Sequence, residues 1–253
     1  MAKLHDLLGL YDRKSPPGTV AETLEQRRER IRQRRAEGKG IRAMPGEERW
    51  LQRRCVSSLF GEMQAVEGFA RILTECPNVP WELKKKLARI TWDEARHMEV
   101  YMKMIPKHGA RLDEEPDAPF MFALLRDPDP AIRLVSARAG EGLTLDMLLT
   151  LREEFEKLGM PEWSRCMDYL LADEVSHFRI MGQGVDTLTS DSPEHRERVD
   201  EYRRKLTRAI HKEERGTVYK VAQESREVGG ATSEEMQEAK RFQAESAKYQ
   251  QPS

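Results

Sequence analysis

Asp93-Glu94-Ala95-Arg96-His97 and Asp173-Glu174-Val175-Ser176-His177 are two copies of one pattern, Asp-Glu-x-x-His, with their glutamates 80 residues apart. A further glutamate precedes each copy: Glu62 lies 32 residues before Glu94, and Glu141 lies 33 before Glu174. On an α-helix, residues three apart share a face, so Glu94 and His97 can grip one ion, and Glu174 and His177 another. Four carboxylates and two imidazoles drawn from four helices are the ligand set of a two-metal site inside a helical bundle. Carboxylate oxygen mixed with imidazole nitrogen suits iron, manganese or zinc better than calcium. A lone Glu-x-x-His arises easily in a chain that is 34% charged. Two copies with partners at nearly equal spacing do not.

Working outward, the sequence divides into helices. A first is expected from about Glu47 to Glu75, closed by Cys76-Pro-Asn-Val-Pro80, and a second from Pro80 to His108, ending at Gly109 with Lys and His in its last turn. A third begins at Asp129-Pro130 and ends near Leu158-Gly159; a fourth runs from about Pro161 to Leu188. Both intervening turns are short, so each pair reads as an antiparallel hairpin, and the stretch from Ala110 to Pro128 is long enough to cross the bundle from end to end. A fifth helix is expected from Pro193 to Gly216; beyond it the chain is polar and weakly periodic, read as a partner-docking helix or a frayed tail. The expected architecture is all-α: residues 1–45 a polar arm, 46–190 a four-helix bundle of two hairpins joined by a crossover, and 191–253 a C-terminal helix and tail. The arginine-rich run from Glu25 to Lys39 can form a helix but lacks an apolar stripe, and reads as a solvated arm.

At about 100° per residue, Glu94 falls within a stripe of Leu87, Ile90, His97, Met98, Tyr101 and Ile105. Glu141 is centred among Leu134, Ala137, Leu145, Leu148 and Phe155, and Glu174 shares a face with Met167, Leu170, His177, Phe178 and Met181. Carboxylates inside apolar stripes are costly unless something neutralises them. A metal is the simplest agent; a buried Glu–His or Glu–Arg network is the competing reading. On the first helix, Glu62 and Glu67 flank the stripe equally. Spacing to Glu94 selects Glu62, because Glu67 gives 27 residues where the second half has 33.

The net charge of −1 gives no electrostatic case for nucleic acid or a membrane surface. No apolar run approaches about 18 residues and there is no signal-peptide core, so a soluble cytoplasmic protein is expected. Cys55, Cys76 and Cys166 lack Cys-x-x-Cys spacing and read as reduced thiols. His108 ends a helix, where it can favour the helix dipole, and His5, His195 and His211 lie in polar contexts and read as surface residues.

On Glu62, Glu94-x-x-His97, Glu141 and Glu174-x-x-His177, residues 50–188 resemble the ferritin-like di-iron carboxylate superfamily: rubrerythrins, multicomponent monooxygenases and the ribonucleotide reductase small subunit. The resemblance implies a ferritin-like fold and two iron ions, with manganese or a mixed Mn/Fe pair as variants. It implies that Glu94 and Glu174 bridge the metals, that Glu62 and Glu141 are terminal ligands, and that each metal takes one histidine. It further implies that Asp93 orients His177, and Asp173 His97, by hydrogen bonding. Tyr101 stands where the reductase carries its radical tyrosine, although Met181 occupies the matching place in the other half and a core role is the simpler reading.

The expected function is therefore a non-haem di-iron oxidase or oxygenase that uses dioxygen to oxidise a small organic substrate. Phe69, Met98, Phe155 and Phe178 are expected to line the site, electrons to come from a separate protein, and a homodimer is among the expected states. The alternative is iron or peroxide handling in the manner of ferritins and rubrerythrins, although no four-cysteine site is present. A tRNA-modifying hydroxylase or a metal-stabilised structural bundle ranks lower.

Overall fold

In the computed structural model, the described residues are 50–107, 125–213 and 219–248, together with Gln26, Glu29, Arg32 and Gln33. Among them every element is a helix. These are α1 (Trp50–Glu75), α2 (Trp81–Lys107), α3 (Pro130–Lys157), α4 (Pro161–Thr189), α5 (Pro193–Glu213), α6 (Gln223–Val228) and α7 (Ser233–Ala247). None is long and apolar enough to cross a membrane. Of the expected arm, Gln26, Glu29, Arg32 and Gln33 are helical and exposed, with Arg32 paired to Glu29 at 3.0 Å. The rest of the arm, His5, His108 and residues 108–124 of the expected crossover lie outside the described residues.

Contacts group the chain into two units, the first reaching Arg133 and the second running from Leu134 onward. In the first, α1 and α2 form a hairpin. Its turn is tied by Val79 N–H donating to the Cys76 carbonyl at 3.2 Å, and Pro80 supplies the rigid entry into α2. Val56, Phe69, Ile72, Leu87, Ile90, Tyr101 and Met104 are wholly buried. Each such side chain contributes roughly 1.5–3 kcal/mol relative to exposure. At Gly68 a Cβ would collide with the side chain of Leu125, so any larger residue there would require Leu125 to move. The start of α3 is capped by Asp129, whose Oδ1 accepts from Ala131 N–H at 2.9 Å, and Arg133 binds Glu75 at the end of α1, also at 2.9 Å.

In the second unit α3 ends as its sequence dictates. Gly159 takes φ +68°, and Met160 N–H reaches back to the Phe155 carbonyl at 2.9 Å, a glycine-terminated helix end followed at once by Pro161 of α4. Phe155 and Trp163 then pack across this turn with ring centroids 6.3 Å apart.

The expectation for the C-terminal region needs correction. It is neither a frayed tail nor a lone helix awaiting a partner: α6 and α7 dock on their own unit. Ala222 N–H and Arg226 Nε both donate to Asp146 Oδ1 at 2.8 Å, Lys220 N–H donates to Thr150 Oγ1 at 3.1 Å, and Arg203 holds Glu238 at 2.8 Å. Thr232 and Glu235 cap α7 reciprocally, each accepting the other's backbone N–H. The docking relies on charged hydrogen bonds around a small apolar nucleus of Leu145, Phe178 and Ala222. A scan for apolar stripes passes over such a joint.

Candidate metal centre

In the first unit the hairpin brings Glu62 of α1 against Glu94 and His97 of α2. Glu94 and His97 are completely buried and Glu62 is 6% exposed. His97 Nδ1 lies 3.2 Å from Glu94 Oε2 and 3.8 Å from Glu62 Oε2, and each of the three residues offers a ligand atom within 4.8 Å of the others. Nδ1 is thus the ring nitrogen turned toward the carboxylates, and Nε2 points to the opposite side of the ring. Two carboxylates held this close in a dry interior repel one another, and a divalent cation among them turns repulsion into attraction. Oxygen and imidazole donors, buried and convergent, fit a transition metal. Glu67, the other candidate on α1, is only half-buried.

The surroundings are apolar and protonated. Tyr101, one turn beyond His97, is fully buried; burial, reinforced by the Glu62 carboxylate, lifts its phenol well above the ordinary value. Burial likewise pushes the Cys55 thiol up to about 12, so it stays protonated and offers no thiolate. Cys76 is raised by burial as well, and all three cysteines are free. Asp93, 5% exposed, takes Arg89 Nε on both oxygens at 2.9 Å and also binds Arg96.

The second unit repeats the motif geometry. Glu174 is fully buried and His177 is 1% exposed; His177 Nδ1 lies 3.1 Å from Glu174 Oε2, matching the 3.2 Å of the first copy. Glu141 is buried on α3, and Asp173 is half-buried on α4.

Arginines missed by sequence reasoning hold the backbone beside these residues. Arg138 donates to the carbonyl of Phe178, the residue after His177, and Arg226 donates to the carbonyl of Gly142, the residue after Glu141. Arg138 also binds Glu235 at 2.8 Å and the Gly230 carbonyl at 2.9 Å. From Ala131 to Arg138 α3 is buried on every side, so its polar residues face two neighbours and no single stripe exposes the pattern. Phe178, expected to line the metal site, takes a different place. Its ring lies under the Arg138 guanidinium at 3.6 Å and against Leu145 and Ala222. Met98 is only half-buried.

His211, expected on the surface, is half-buried. It stacks on Phe242 with centroids 4.2 Å apart, and burial, with Arg226 and Arg241 nearby, pushes it down to about 4.

In comparisons with known proteins, the chain matches no family model, no curated protein and no solved structure.

Proposed function

We propose that the protein is a non-haem di-iron oxidase or oxygenase acting on a small organic substrate, with the ferritin-like arrangement of two hairpins, α1–α2 and α3–α4, joined by a crossover. The observation that carries this reading is the convergence of Glu62, Glu94 and His97, buried and within 4.8 Å of one another. On this reading the second copy of the motif, Glu174 and His177 with Glu141, supplies the other half of the ligand set. Glu62, Glu94, Glu141 and Glu174 would hold the two metals, with Glu94 and Glu174 shared and Glu62 and Glu141 terminal, and each histidine would bind through Nδ1, the atom facing its own motif's carboxylate in both copies.

Two ferrous ions held there would supply electrons to dioxygen and pass the resulting oxidising power to the substrate. The protein's own contribution is to fix and insulate. Four carboxylates balance the charge of two divalent cations and favour the oxidised state through hard oxygen donors. The two aspartates of the repeated motif, Asp93 and Asp173, orient the histidines through Nε2 of each ring. Phe69, wholly buried on α1, keeps water out, and Tyr101 holds its proton on Oη throughout the physiological range, while Phe155, also expected to line the site, packs instead on Trp163 at the α3–α4 turn.

The experiment is iron loading without air, followed by metal analysis and controlled exposure to oxygen. Two irons per chain and one oxidation event per site, recurring only when reductant is added, support the oxygenase reading. Repeated uptake of ferrous iron with mineral growth would favour storage instead, and a stoichiometry of one or none would remove the two-metal site altogether.

A further inference from the structure

The helix that carries Glu94 and His97 inward carries a second apolar face outward. Trp81, Trp92 and Met102 are 71%, 62% and 59% exposed. At about 100° per residue, Trp81 and Trp92 lie within roughly 20° of each other around α2, with Ala88 between them and Met102 at the far end of the same side. Two tryptophans on one exposed helical face are uncommon except where a partner covers them, since aromatic side chains are enriched at the buried centres of interfaces. The polar residues on this face are Lys85 near the start, Arg89 and Arg96 flanking Trp92 and both already paired with Asp93, and Glu99 and Lys103 near the end.

That order specifies the partner. We propose that α2 pairs antiparallel with α2 of a second copy of this chain, on a two-fold axis through Trp92. Such pairing sets residues equally distant from Trp92 opposite each other. Lys85, seven residues before it, meets Glu99, seven after; Trp81, eleven before, meets Lys103, eleven after, with Met102 beside it. One axis position therefore makes an ion pair and a cation–aromatic contact at once, each occurring twice by symmetry. Trp92 meets its own copy at the centre, where binding energy concentrates. Lys85 already pairs with Glu82 at 2.8 Å, but both are exposed, and exchanging that partner costs little. A parallel pairing would set Lys85 against Lys85 and Glu99 against Glu99, so the charges select the antiparallel sense.

The test is sedimentation of the full chain over a range of concentrations. The expected species has twice the 29.3 kDa chain mass. Trp92→Glu should raise the dimer dissociation constant at least roughly 30-fold, the size of an interface hot spot, while helix content by circular dichroism stays unchanged. Lys85→Glu and Glu99→Lys alone should each weaken the dimer about tenfold, and the Lys85→Glu/Glu99→Lys double variant should restore it. A wild-type chain that is monomeric at every concentration, its α2 face bare or covered by another segment of the chain, overturns the proposal. So does a dimer indifferent to Trp92→Glu, or a charge swap that fails to rescue.

Discussion

Glu62 on α1 and His97 on α2 stand 3.8 Å apart, carboxylate oxygen to Nδ1, although 35 positions separate them in the sequence. The hairpin turn at Cys76–Val79 sets that distance, because it fixes the register in which one helix returns beside the other. Folding the hairpin therefore assembles three ligand-type residues within a single unit.

Glu62→Ala should accordingly lower metal stoichiometry from two toward one per chain, whereas Glu67→Ala should leave it at two. Anaerobic iron loading followed by elemental analysis decides it. Emptying of the site by Glu67→Ala alone would show that the half-buried carboxylate is the ligand.

Asp93→Asn should retain both metals but weaken them roughly 10–100-fold, the usual cost of disturbing the residue behind a ligating histidine. A cobalt titration followed by its visible absorption reads the affinity without needing turnover. Because Arg89 and Arg96 converge on this carboxylate, the variant also loses charge pairing. Arg89→Gln serves as the control and should leave cobalt affinity within about twofold, since Arg89 is largely exposed and exposed pairs contribute little.

Arg226 and Asp146 form a buried pair on which the docking of α6 depends. Asp146→Asn should cost roughly 3–5 kcal/mol in urea unfolding, because it strands a buried guanidinium. Replacing both by apolar residues of similar volume, Asp146→Leu with Arg226→Met, should cost less than the single change. Equal losses would mean that the pair itself, and not the stranded charge, sets the penalty.

His211 gives a pH dependence of known sign. Its folded value of about 4 lies below the ordinary 6.5, so between those limits the unfolded chain binds more protons than the folded one. Stability is fully present above about pH 6.5 and falls as pH drops toward 4, by up to roughly 3 kcal/mol from this group at about 1.4 kcal/mol per pH unit. His211→Phe should flatten that part of the stability–pH curve. An unchanged slope would assign the acid sensitivity to other groups.

The parts of the fold legible in the sequence are those set by local chemistry. Pro130, Pro161 and Pro193 each mark a helix start, and Gly159 marks a helix end because its backbone must turn left-handed. The candidate ligands were legible because a spacing of three on a helix is itself geometry. What escaped is made by partners distant in sequence. Arg138 reads as an ordinary charged residue until Glu235, 97 positions later, comes to meet it. His211 reads as surface until Phe242 stacks on it. Phe178 looks like a wall of the metal site, yet the C-terminal helices claim it, and nothing in the local pattern of α4 announces helices lying 45 or more residues further on.

The buried thiol of Cys55 gives the first unit a chemical clock. With its proton held up to about 12, it is almost inert to alkylating reagents while α1 stays packed. Modification then waits for the α1–α2 hairpin to open, so the labelling rate under native conditions reports the free energy of that opening. The same opening separates Glu62 from Glu94 and His97. A metal that binds there must slow the labelling of a cysteine it never touches, in proportion to its own affinity.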